Sequence, residues 1–117
     1  MSRAAVRYGP LEAVLADVAT ERAAQDARWG PQDPPDGTGP AYAGEADALR
    51  EACGAAFRDG AGSWRHILAE EVAEAFAEDD PDRLRAELVQ VAAVAVKWIQ
   101  ALDGRPDGDG SGRSRPG

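Results

Sequence analysis

From Pro81 to Leu102 the chain carries no glycine and no further proline, and its apolar residues recur every three or four positions: Leu84, Leu88, Val91, Ala95, Trp98 and Leu102. At about 100° per residue these positions line one side of a helix. Val89, Ala92, Val96 and Ile99 widen that side past the stripe of an ordinary amphipathic surface helix. A helix apolar around most of its circumference has to be covered on more than one side. A short chain has little of its own to do this with, so the expectation is an all-α fold completed by a second copy, as an antiparallel helical dimer.

Three more helical patterns precede this one, each bounded by turn chemistry. The first starts at Pro10, a good first-turn residue, and runs to about Arg28, with Leu11, Leu15, Val18 and Arg22 on one side. The segment from Trp29 to Pro40 holds Pro31, Pro34, Pro35, Gly30, Gly37 and Gly39, which forbid regular structure. A loop of this length inside a compact domain is uncommon unless it has a task. The second pattern spans about Ala41 to Arg58, with Tyr42, Leu49, Cys53 and Phe57 as its larger apolar members, and ends at Asp59-Gly60-Ala61-Gly62. Ser63 is a natural N-cap for a third helix from Trp64 to about Glu78. Asp80 and Pro81 open the fourth, and Gly104 supplies its stop. No strand pattern competes. Residues 1–9 read as an N-terminal extension, 10–103 as a four-helix bundle, and 104–117, which contain no large apolar residue, as a disordered tail.

Charge narrows the partners. Lys and Arg number 13 against 21 Asp and Glu, a formal net charge of -8. Counterion release needs clustered cations, so a nucleic-acid polymer is not an expected partner, and neither is an anionic membrane surface. The stretch Val91–Val96 is far too short to span a bilayer, and the first residues lack the apolar run of a signal peptide, so the expected location is the cytoplasm. The lone Cys53 permits no internal disulfide and no cysteine zinc site, and reads as a small buried apolar residue.

The chemistry concentrates on the third and fourth patterns. Glu71, Glu74 and Glu78 follow one another at spacings of three and four and so share a stripe, beside Leu68, Val72, Ala75 and Phe76. Two carboxylates 6 Å apart repel by roughly 3 kcal/mol at an effective dielectric of about 20. No Lys or Arg after Arg65 offsets this on the third helix. On the fourth, Glu87 and Gln90 share a stripe with Val94 and Lys97. Antiparallel packing across the short turn sets Glu87 opposite Glu71 and Glu74, an oxygen-rich constellation of the kind Mg²⁺ prefers. The opposing interpretation is a solvated acidic face, which spacing alone does not exclude. Trp29, at the mouth of the Pro/Gly loop, can stack on a base or simply anchor the helix end. Lys97 can pair with a phosphate or edge a buried helix. Trp64 and Trp98 read as core or interface residues, and His66 as an ordinary helix-start histidine.

These residues resemble the all-α nucleoside triphosphate pyrophosphohydrolases, the superfamily of MazG-like proteins. The shared pattern is Glu-x-x-Glu on one helix and Glu-x-x-Asp on the next. This chain has Glu71-Val72-Ala73-Glu74, preceded by Glu70, and then Glu87-Leu88-Val89-Gln90. Trp64-x-x-Ile67-Leu68 and Glu21-Arg22-x-x-Gln25-Asp26-x-x-Trp29-Gly30 are similar to MazG-like segments as well. The resemblance covers roughly Glu21 to Leu102.

It implies a MazG-like dimer that hydrolyses a nucleoside or deoxynucleoside triphosphate to the monophosphate and pyrophosphate. It also implies Mg²⁺, or Mn²⁺ in its place, on Glu71, Glu74 and Glu87 with Gln90 in the fourth position, and Glu70 as base or water holder. One departure stands out. Gln90 replaces the pattern's Asp and removes a negative charge and a strong ligand. A relative that binds nucleotide or metal without hydrolysing, and a helical interaction module with no site, therefore stay as alternatives.

Overall fold

The computed structural model describes residues 6–106, and these are all helical apart from their connections, with no strand among them. Helix α1 runs Leu11–Trp29, a 3₁₀ turn spans Pro40–Tyr42, α2 is Ala43–Arg58, α3 is Trp64–Phe76 and α4 is Pro81–Asp103. None of the described helices is long and apolar enough to cross a membrane. The described residues fall into two compact units, one made of those up to Pro31 and those from Val96 onward, the other of Gln32–Ala95.

In the second unit α2 and α3 form the main helix pair. The residues they bury are small: Ala46 and Cys53 from α2, Ala73 and Ala75 from α3. Small side chains let two helices approach closely, so backbone proximity replaces bulk as the source of contact. The sequence placed Phe76 on the core side of α3, yet it is 51% exposed, packing edge-to-face with Tyr42 at 6.5 Å between ring centroids.

Local chemistry fixes the helix ends. After Arg58, Gly60 takes φ +77°; its N–H donates to Phe57 O, and the Ala61 N–H donates to Ala56 O. These two bonds are a Schellman motif, and the left-handed residue within it calls for glycine. Ser63 caps α3, its Oγ accepting from the His66 N–H at 3.3 Å, and Asp80 Oδ2 accepts from the Arg83 N–H at 3.0 Å. The far end of α3 is closed by the Pro/Gly loop. Thr38 Oγ1 donates to Glu78 O at 2.6 Å, and the Gly39 N–H donates to Phe76 O at 2.9 Å. Carbonyls that a helix end leaves without partners are satisfied from nearly 40 residues upstream. That is a task for the long loop.

In the first unit Val14 is the residue α1 buries, while Leu11, Leu15 and Val18, the larger members of the expected stripe, are each more than two-fifths exposed. Arg22 donates to Gln25 Oε1 and to both oxygens of Asp26, so this part of the sequence pattern has a local role in bracing the helix. The segment before α1 is tied to the end of α4. Gly9 N–H donates to Gln100 O at 2.8 Å, and Gln100 Nε2 donates to Gly9 O at 2.9 Å. Gly104 does not end α4 through a left-handed turn, since its φ is not positive. It is required for space, because a Cβ there would collide with the Arg7 carbonyl. Gly104→Ala is therefore expected to cost about 1–3 kcal/mol, the penalty of forced overpacking, in chemical denaturation. Of the tail expected at 104–117, residues 104–106 are described, with Gly104 set against Arg7, while 107–117, including Arg113 and Arg115, lie outside the described residues.

Candidate metal centre

Glu71 and Glu74 are one turn apart on α3, and Glu87 lies in the second turn of α4. One carboxylate oxygen from each lies within 4.8 Å of the others, and all three residues are partly buried. Helix spacing sets the first two side by side. The Asp79-Asp80-Pro81 turn brings the third to them. Among the described residues, Oε1 of Glu71 and Oε1 of Glu87 are buried and receive no hydrogen bond. A buried acceptor left without a donor is costly, so this arrangement asks for a cation or for protons.

The titration behaviour has the same origin. Burial holds the Glu71 carboxyl above its ordinary range, with further increases from the charges of Glu74, Glu87 and Glu70. Burial also raises Glu87, followed by the charges of Glu74 and Glu78. Each lowers its neighbours' tendency to ionise.

Glu74 is the member with a protein partner. Arg50, reaching from α2, donates from Nε to Glu74 Oε2 at 3.3 Å, and its Nη1 donates to Asp47 Oδ1 at 3.0 Å. These bonds, that to Asp47 first, hold the guanidinium above its ordinary value. Asp47, Arg50, Glu74, Glu78 and Glu87 line a cavity of about 200 Å³ with three alanines of α2 and the α3 end. Glu78, expected as a helical member of the stripe, lies past the end of α3, where its carboxylate accepts from the Asp80 N–H at 3.1 Å. It still faces this cavity.

Other expected residues are placed as follows. Glu70 is partly buried and engages the buried Cys53 thiol, which burial and then a hydrogen bond to Glu70 push up, so Cys53 is a protonated packing residue. Gln90 is exposed, one turn beyond Glu87. Trp29 and Lys97 belong to the other unit. Trp29 is 55% exposed with the Arg28 guanidinium 5.2 Å from its ring centroid, and Lys97 is exposed. His66 Nδ1 sits 2.7 Å from Ser63 Oγ, consistent with a helix-start role. Arg50 and Asp47 were not singled out from the sequence, although Ala43, Ala46, Asp47 and Arg50 share one helical stripe.

No family model, curated protein or solved structure matches this chain.

Proposed function

We propose that this chain is a metal-dependent nucleoside triphosphate pyrophosphohydrolase of the MazG-like kind, acting as a dimer. The observation that carries the proposal is the convergence of Glu71, Glu74 and Glu87 with two buried oxygens lacking donors. The donor set fits Mg²⁺ or Mn²⁺: hard carboxylate oxygens, no sulfur or imidazole, and a partly open site that leaves room for water. A divalent cation held there would neutralise phosphate oxygens and favour attack of water on the α-phosphorus.

The chain's own residues supply the rest. Glu71, Glu74 and Glu87 hold the cation and fix its position on two helices. Glu70, adjacent to Glu71, accepts a proton or positions water. The test is pyrophosphate release from a panel of nucleoside and deoxynucleoside triphosphates with Mg²⁺ or Mn²⁺. Release from at least one supports the assignment, and silence across the panel removes it.

One observation favours a second reading, a relative that binds without turnover. Gln90 is neutral where the resembled pattern has Asp, so the site has three carboxylates instead of four. Cation binding without pyrophosphate release would select that reading.

Dimerisation is supported by what α4 leaves uncovered. Leu88 is 49% and Val89 53% exposed, neighbours on a helix whose Leu84 is buried. Exposed apolar side chains of this size invite a partner surface. Leu88→Lys combined with Val89→Lys is expected to shift the protein from dimer to monomer in sedimentation velocity. An unchanged sedimentation coefficient would place the interface elsewhere.

A further inference from the structure

The cavity beside the three glutamates presents a charge problem. Asp47, Glu74, Glu78 and Glu87 face it, and an anionic ligand gains nothing from four carboxylates. Arg50 is the one cation among its lining residues. Its side chain is 55% exposed, and both of its anchors are side-chain carboxylates. An exposed ion pair of this kind is weak and readily exchanged. A cation arriving on Glu74 would draw on the same carboxylate as the guanidinium and repel it. The displaced fork then has donors free within a cavity of about 200 Å³. That volume is smaller than the roughly 300–1,000 Å³ of pockets that enclose whole drug-sized ligands, so it suits a polyphosphate end. A guanidinium offers phosphate two parallel donors, which no other group lining the cavity can do.

We propose that Arg50 is the polyphosphate-binding residue of this site, stored on Glu74 and Asp47 until a divalent cation takes its place on Glu74. This rests on the metal reading of Glu71, Glu74 and Glu87. It assigns the site an occupant order, cation first and phosphate second. It also makes Arg50 a competitor for the cation and a partner for the anion.

The experiment uses two probes on the full chain, Mn²⁺ alone and then inorganic pyrophosphate added to the Mn²⁺-loaded protein, each followed by calorimetry. The proteins compared are the unaltered chain, Arg50→Gln and Arg50→Lys, with circular dichroism confirming that each is folded. Arg50→Gln is expected to bind Mn²⁺ at least as tightly as the unaltered chain, because a competitor is gone. It should bind pyrophosphate roughly tenfold or more weakly, the loss of charge-assisted donors. Arg50→Lys should fall between, since its ammonium keeps the charge without the fork. Equal pyrophosphate affinity in Arg50→Gln, with Mn²⁺ still bound, overturns the role of Arg50 and leaves the metal reading intact. Weaker Mn²⁺ binding in Arg50→Gln overturns the competition. Absence of Mn²⁺ binding in the unaltered chain removes the metal reading, and this proposal with it.

Discussion

Glu74→Gln is expected to lower pyrophosphate release by roughly a hundredfold or more, since even residues that only support a metal ligand alter affinity or activity by about 10–100-fold. Glu74 is the sharpest place to test the site. Its charge raises both Glu71 and Glu87, and it alone of the three is paired with Arg50. Glutamine keeps the size and one oxygen while removing the charge, so packing changes little. Circular dichroism and sedimentation should match those of the unaltered chain. Retained turnover in Glu74→Gln would exclude the three-carboxylate site as the seat of hydrolysis. Lost turnover in a folded variant ties the reaction to that cluster and shows that Gln90 is tolerated.

The second large effect is on stability, and its sign follows from the raised carboxyls. Glu71 and Glu87 hold protons more tightly in the folded chain than in the unfolded one. Their contribution is therefore fully present below the ordinary carboxylate range. It is lost as pH rises through that range to their raised folded values, and stays lost at neutral pH. Metal-free protein should accordingly gain thermal stability on acidification from pH 7 toward the carboxylate range, and Glu87→Gln should flatten that gain. A divalent cation acts in the opposite direction. At about 100 times its dissociation constant a ligand stabilises by roughly 2.7 kcal/mol. For a domain of this size that corresponds to a rise in melting temperature on the order of 10 °C. The rise should be large at pH 7, shrink as protons compete for the same oxygens, and be largely absent in Glu87→Gln. A metal effect that is independent of pH, or preserved in that variant, would locate the cation elsewhere.

Much of the architecture was legible because helix ends are written locally. Ser63 and Asp80 cap helices as their positions implied, and the Gly60 turn closes α2 with a left-handed glycine. The grouping of Glu71, Glu74 and Glu87 was likewise accessible from spacing across a short turn. What escaped depended on partners distant in sequence. α3 ends at Phe76, short of Glu78, and Thr38 and Gly39 bond to carbonyls just there, contacts no local pattern encodes. Arg50 could not be matched with Glu74 until α2 packed on α3. On α1, size misled: the residue that is buried is Val14, while the larger Leu11 and Leu15 face outward.

The two closures of α3 bear on how tightly a cation would be held. A helix of 13 residues is marginal in isolation. Here Ser63 secures one end, and the Pro/Gly loop secures the other. The work of bringing like charges together is thus done when the chain folds, not when the ion arrives. An incoming cation would meet oxygens already gathered, so apart from the exchange with Arg50 on Glu74 little of its binding energy would be spent on arranging them.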